Sequence, residues 1–156
     1  MQDIRLKDLT QRKVMYLICR GPWRQLPDML VKLYEYVSKS GMETTGPPSG
    51  FYYNTPSEVG VHELSWEVFY PVKSETLEYF DDASGFGVKT IAGTRVAATI
   101  HKGSHRKAAS SYERLQVWIR MRGLRVSGPA EEVYLTDISK ANEEQQIEIR
   151  LPVCAV

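Results

Sequence analysis

The sequence predicts an α+β domain made of two copies of a β-α-β-β unit, an antiparallel sheet carrying two main helices. Three observations lead there: a long internal repeat, a strand-then-helix periodicity in each copy, and an ordinary globular composition. The repeat comes first. Val14 to Gly21 (VMYLICRG) recurs in pattern as Val96 to Gly103 (VAATIHKG), 82 positions further on. The same offset carries Leu33 onto Leu115, Gly41 onto Gly123, Gly46-Pro47 onto Gly128-Pro129 and Tyr52 onto Tyr134. One residue is then lost, and Glu67, Pro71 and Val72 fall on Glu148, Pro152 and Val153. Two copies of this length point to a pseudo-twofold domain, not a solenoid. We read one domain over 1–156, with the first copy over about 4–72, a linker over about 73–87 and the second copy over about 88–153.

Each copy opens with a β-rich strand, KVMYLICR or RVAATIHK, that ends at a glycine turn and leads into a helix. The first helix is expected to start near Pro22, where the missing N–H of a proline costs nothing. Leu26, Met29, Leu30, Leu33, Tyr34 and Val37 follow the helical period and predict one buried face. Gly41 suits a left-handed C-cap. In the second copy Ser104 is the expected N-cap, Ala108, Tyr112, Leu115, Trp118 and Ile119 the inner face, and Gly123 the stop. Each helix is followed by a Gly-Pro loop and two strands: FYYN and ELSWEVFYPV, then EVYLTD and QIEIRLPV. Lys73 to Thr94 reads as a linker that also begins the second copy's first strand. Helices against a largely antiparallel sheet make the class α+β.

The composition bounds what such a domain does. With 42% hydrophobic and 25% charged residues in 156, the chain can bury a core, which excludes a disordered or fibrous protein. Twenty basic residues against nineteen acidic ones leave +1, so no global field draws it to nucleic acid or to an anionic membrane. No apolar run approaches the roughly 20 residues that span a bilayer, and MQDIRLKDLT lacks the apolar stretch of a signal peptide. Cys19 and Cys154 have no metal or redox spacing and are read as free thiols in a reducing cytoplasm.

Strand alternation then sorts the candidate residues. Ile147, Ile149 and Leu151 share a helix-facing side, which turns Glu148 and Arg150 the other way. Leu64, Trp66, Val68 and Tyr70 do the same in the first copy, with Ser65, Glu67 and Phe69 opposite. The equivalent Glu67 and Glu148 are thus expected on the uncovered face, with Tyr52 and Tyr134 joining them. Trp66, Tyr70 and Trp118 are expected in the core.

The run GLRVSGPAEEVYLTD followed by QIEIRLPV, with VAATIHKG and its helix upstream, resembles the GyrI-like proteins, the AraC-type effector-binding domain. The resemblance runs from about Ile4 to Val153 and shows in both halves. It implies a pseudo-symmetric pair of β-α-β-β units with a central groove for hydrophobic, often cationic compounds. It also implies that a glutamate in the last strand, here Glu148, meets the ligand's charge. One branch of the family looks like hydrolases of cyclopropane-bearing compounds that use a glutamate and an aromatic hydroxyl in the same groove. The family's Gly-Pro-Tyr after the first strand is Gly-Pro-Trp23 in one copy and Gly-Ser-His105 in the other.

The expected ligand residues are Glu148 as anionic centre, Glu67 as a second charge, and Tyr52, Phe69, Tyr134, Trp23 and His105 as walls. A carboxylate among rings loses hydration, which a cationic ligand relieves, and ring faces add about 0.5–2 kcal/mol each. The same carboxylate is a candidate general base. Three readings follow: a stand-alone binding protein for hydrophobic, cationic or aromatic compounds; a hydrolase with Glu148 directing water and Tyr134 polarising the substrate; and an inhibitor or sensor that contacts a protein such as a gyrase subunit. No cofactor, metal, membrane or direct nucleic-acid partner is expected. His101-x-x-x-His105 has metal-like spacing but is broken by Gly103. The basic stretch Lys102, Arg106, Lys107, Arg114, Arg120, Arg122 and Arg125 reads as a solvated helix back. Gly85-Phe86-Gly87 lacks the rest of a phosphate loop.

Overall fold

In the computed structural model, which describes residues 3–137 and 143–156, the described residues form ten strands and two α-helices. In order they are β1 (Ile4–Leu9), β2 (Arg12–Arg20), α1 (Leu26–Ser40), β3 (Ser49–Tyr52), β4 (Ser65–Val72), β5 (Tyr79–Asp81), β6 (Phe86–Ile91), β7 (Thr94–Lys102), α2 (Ala109–Met121), β8 (Leu124–Val126), β9 (Ala130–Tyr134) and β10 (Gln146–Ala155). The strand pairings within each half are antiparallel among the described residues, so the class is α+β. The chain divides into two compact units, Gln11–Ala92 and Met1–Thr10 with Gly93–Val156.

The first unit orders its strands β3-β4-β2-β6-β5, with α1 against β2 and β4. Cys19 opposes Trp66 and Leu17 opposes Val68, and these side chains share the helix face. Leu26, Leu33 and Val37 of α1 complete that core. Tyr36 of α1 stacks on Phe86 at 4.0 Å, and Phe86 opposes Leu17, which fixes the side of the sheet that the helix covers. On the other face Val14, Tyr16 and Phe69 form a buried cluster with Phe51 and Ile91.

The second unit orders its strands β1-β7-β10-β9, with β8 pairing the end of β10, and α2 lies against β7 and β8. Thr99 opposes Ile149 and His101 opposes Ile147. His101 donates from Nε2 to the Ser104 carbonyl (2.9 Å) and accepts at Nδ1 from the Ser111 hydroxyl of α2 (2.9 Å), so this is the helix face. The histidine is 6% exposed and ties β7 to its helix.

The same contacts recur in both units at the repeat's offset. Ile18 opposes Glu67, and Ile100 opposes Glu148; Val14 opposes Pro71, and Val96 opposes Pro152. The Gly21 amide donates to Leu64 O (2.9 Å) and Gly103 to Gln145 O (2.8 Å); Thr45 donates to Pro71 O and Ser127 to Pro152 O, each at 2.8 Å. Gly41 and Gly123 end the two helices at φ 69° and 71°, a left-handed conformation that side chains resist.

Several local expectations differ from the structure. The residues after Pro22 make a single 3-10 turn, Trp23–Gln25, and α1 begins at Leu26 with Pro27 near its first position. Tyr34 lies outside the buried face and is 61% exposed, because Tyr36, not Tyr34, turns onto Phe86. Ser104 does not cap α2, whose N-cap is Ala108 after the turn His105–Lys107. Tyr70 and Trp118, expected in the core, are only partly buried, whereas Trp66 is 1% exposed. The linker holds β5 and the start of β6, and β6 pairs with β2 in the first unit. A reciprocal exchange results: β1 precedes β2 in sequence but pairs with β7, and β6 precedes β7 but pairs with β2.

Candidate functional site

Four glutamates are buried among the described residues, and Glu132, Glu148 and Glu67 each centre a distinct setting. On the helix face of the second unit, Glu132 of β9 opposes Ile149 and Tyr134 opposes Ile147. Two more groups converge there: His105 from the turn after β7, and Tyr112 from the start of α2. His105 Nε2 lies 3.0 Å from Glu132 Oε1, the Tyr134 hydroxyl donates to the same oxygen at 3.0 Å, and Tyr112 donates to Oε2. The His105 and Tyr134 rings meet edge to face at 6.3 Å. Glu132 is 5% exposed and Tyr134 3%, while the His105 side chain keeps 32% of its surface open to solvent. Burial alone would lower the imidazole, but the hydrogen bond and charge of Glu132 outweigh it and raise His105 above its ordinary value. Burial likewise would raise Glu132, yet His105, then Tyr112 and Tyr134, hold it below the ordinary carboxylate value. The cluster is therefore an ion pair when His105 is protonated and a net anion when it is not.

On the open face of the same unit, Glu148 accepts from Lys7 Nζ (3.0 and 3.1 Å) and from Arg150 Nε (2.5 Å), and Arg150 also bridges to buried Glu131 (3.3 Å). Burial would raise the Glu148 carboxyl, but Arg150 and then Lys7 hold it below its ordinary value. A cavity of about 260 Å³ beside it is lined by Asp3, Arg5, Ala98, Thr99 and Ile100. Glu67 occupies the equivalent place in the first unit. Its two oxygens accept from Lys89 Nζ (2.7 and 2.8 Å), and the Tyr53 hydroxyl donates to Oε1. Burial, then the hydrogen bond to Glu67, raises the Tyr53 phenol.

The residues expected to line one groove are thus spread over several surroundings. Glu148 and Glu67 do lie on the open faces, and Phe69 lies beside Tyr16, fully buried. Tyr52 and Tyr134 do not join them: they oppose Trp66 and Ile147 and so take the helix faces. Tyr52 meets Trp23 edge to face at 5.4 Å and stacks on Trp66 at 6.1 Å. His105 and Tyr134 come together on Glu132. His101 and His105 turn to different partners. The side chain of Arg106, in the basic stretch, lies outside the described residues. Tyr112 is expected only on the inner face of its helix, and Glu132, Tyr53 and Lys89 are not among the expected site residues. One signal existed, since Glu132 stands two positions from Tyr134 on one strand and must share its face.

Among the described residues no helix is long and apolar enough to cross a membrane, and both cysteines are free. Burial pushes the Cys19 thiol up to about 12, which makes it a poor nucleophile.

Comparison with known proteins bears on this arrangement. The fold is similar to the C-terminal domain of EcmrR (TM-score 0.82, 19% identity, 100% of this chain and 99% of that one). Within an EcmrR–DNA complex the match is equally close (TM-score 0.83, 18% identity, 99% of this chain), but the chain spans only 58% of that protein. It is also similar to a hydrolase encoded by lin2189 from Listeria innocua (TM-score 0.73, 15% identity, 97% and 91%). SAV2435 bound to tetraphenylphosphonium is a more distant likeness (TM-score 0.58, 16% identity, 97% of this chain and 94% of that one). No curated protein matches. The model of the GyrI-like small molecule binding domain matches residues 2–153, and the chain belongs to that family.

Proposed function

We propose that the protein binds small hydrophobic compounds, cationic or aromatic, with the Glu132 cluster as the charged centre of the site. One observation carries this reading: the cation beside Glu132 is a histidine, whereas Glu67 and Glu148 are held by lysine or arginine. Lysine and arginine remain charged at neutral pH, so their carboxylates are already neutralised. A histidine can release its proton, here at a pH above its ordinary range, and its loss leaves Glu132 as a desolvated anion beside two phenol rings. An organic cation then gains both the charge and the ring faces. The free thiols fit a reducing cytoplasm. Tetraphenylphosphonium, the ligand of the SAV2435 structure, is a suitable probe.

The test is calorimetric titration and thermal shift with tetraphenylphosphonium and with neutral triphenylmethanol, on wild type, Glu132→Gln and Glu148→Gln. Glu132→Gln should weaken the cation at least about ten-fold, about 1.4 kcal/mol, and leave the neutral compound nearly unchanged. Loss of the cation in Glu148→Gln alone would move the centre to the last strand, where the family resemblance puts it. Equal losses for both compounds would contradict a charge-centred site.

A hydrolytic reading has its own observation in favour. Glu132 sits within hydrogen-bond reach of His105, Tyr112 and Tyr134, a base among proton donors. In ring opening of an activated cyclopropane, the carboxylate would take a proton from water as its oxygen bonds to a ring carbon. The breaking C–C bond would pass its electron pair to the substrate's activating group, and a tyrosine would supply the proton there. Multiple turnovers of a cyclopropane-bearing alkylator, abolished by Glu132→Gln, would establish this reading; protection limited to one equivalent would favour binding.

A further inference from the structure

The repeat places the same lysine–glutamate pair in both units, but the residues around it differ. Lys7 opposes Val96, Lys89 opposes Val14, and each lysine reaches its unit's Glu148 or Glu67. By the repeat's offsets, Arg150 of the second unit stands where Phe69 stands in the first, and Ala98 where Tyr16 stands. Exchanging a guanidinium and a methyl group for two rings turns an ionic network into an aromatic setting. Glu67 there is 2% exposed and keeps one cation, Lys89, whose ammonium lies over the Tyr16 ring at 4.3 Å. That lysine side chain retains 34% exposure, and it stands at the wall of a cavity of about 360 Å³ shared with Tyr16, Ile18, Arg20, Tyr53 and Glu67. Ile18, 52% exposed, offers an apolar surface beside it.

We infer that this cavity is a second small-molecule site, independent of the Glu132 site, which takes a guanidinium attached to a flat apolar tail, with Lys89 as the tethered cation that the ligand displaces. Both Glu67 oxygens face the cation at 2.7 and 2.8 Å, the acceptor pattern that a planar guanidinium engages with two N–H groups. A guanidinium plane also stacks on a tyrosine ring better than an ammonium does. The volume falls at the lower end of the roughly 300–1,000 Å³ of small-molecule pockets. Displaced, Lys89 returns to solvent and regains its rotamers, and the buried carboxylate is never left without a cation.

Phenethylguanidinium is the probe, followed by NMR titration of wild type, Lys89→Met, Lys89→Met with Glu67→Gln, and Glu132→Gln. Removing the internal competitor should tighten binding at least about ten-fold, and Glu67→Gln should cancel that gain. Glu132→Gln should leave it unchanged, which separates this site from the first. A Lys89→Met protein that binds no tighter, or a gain that survives Glu67→Gln, would overturn the inference. Should Lys89→Met not fold, acetylation of wild type gives the answer. The ligand should accelerate modification of Lys89 and not of Lys7, and an unchanged Lys89 rate would refute displacement.

Discussion

The two units share strand pairings at the repeat's offset but carry different side chains, and the contrast is sharpest on their helix faces. In the second unit His105, Glu132 and Tyr134 meet in a hydrogen-bonded cluster. The repeat puts Trp23, Gly50 and Tyr52 at those three positions of the first unit, and there Trp23 meets Tyr52 edge to face and Tyr52 stacks on Trp66. Strand pairing is unaffected: Gly50 opposes Val68 as Glu132 opposes Ile149. A buried carboxylate needs donors, and His105, Tyr112 and Tyr134 supply them. Where glycine stands in place of the carboxylate, the neighbouring side chains are aromatic rings. Backbone register is thus separable from the chemistry carried on it, which leaves one half of a repeat free to hold a polar centre.

The comparison can be broken most forcefully at the cores. Leu33 and Leu115 are equivalent and both fully buried. Changing either to Ala should cost about 2–5 kcal/mol in urea unfolding, with similar values for the two. A large loss in one and little in the other would show that the units rely on their helices unequally.

The lysine pairs sharpen it at intermediate scale. Lys89→Met leaves Glu67 with the Tyr53 hydroxyl and should cost about 1–3 kcal/mol. Lys7→Met leaves Glu148 with Arg150 and should cost less, under about 1 kcal/mol. Equal costs would mean that the aromatic surroundings of Glu67 do not raise its dependence on a cation.

The smallest effect, and the most telling for the polar cluster, is the dependence on pH. His105 has a folded pKa above its unfolded value, so its contribution is complete below about 6.5 and is lost as pH rises through the raised value. Glu132 is lowered, so its contribution is present above about 4.5 and is lost as pH falls through its folded value. Stability from the pair is therefore greatest between those limits. Affinity for tetraphenylphosphonium should run the other way on the alkaline side, rising as His105 deprotonates. His105→Gln should flatten both profiles; a stability profile unaltered by that change would show that the pair is not the titrating element.

Some of this was written locally in the chain. The repeat, the Leu26, Leu33 and Val37 stripe, the terminal Gly41 and Gly123, and the opposite facing of Glu67 and Glu148 all follow from spacing within a few residues. Helical period, left-handed caps and strand alternation are properties of neighbours, and neighbours are visible in a sequence. The exchange of β1 and β6 was not visible, because pairing across 69 to 95 positions leaves no local mark. The face of Tyr134 differs from the expected one for a related reason. Glu131 to Tyr134 are buried throughout, and a strand covered on both sides loses the polar–apolar contrast from which its parity is read. The Glu132 centre inherits that ambiguity: its charge was plain in the sequence, but only packing decided that it would be enclosed by a histidine and two phenols instead of facing water.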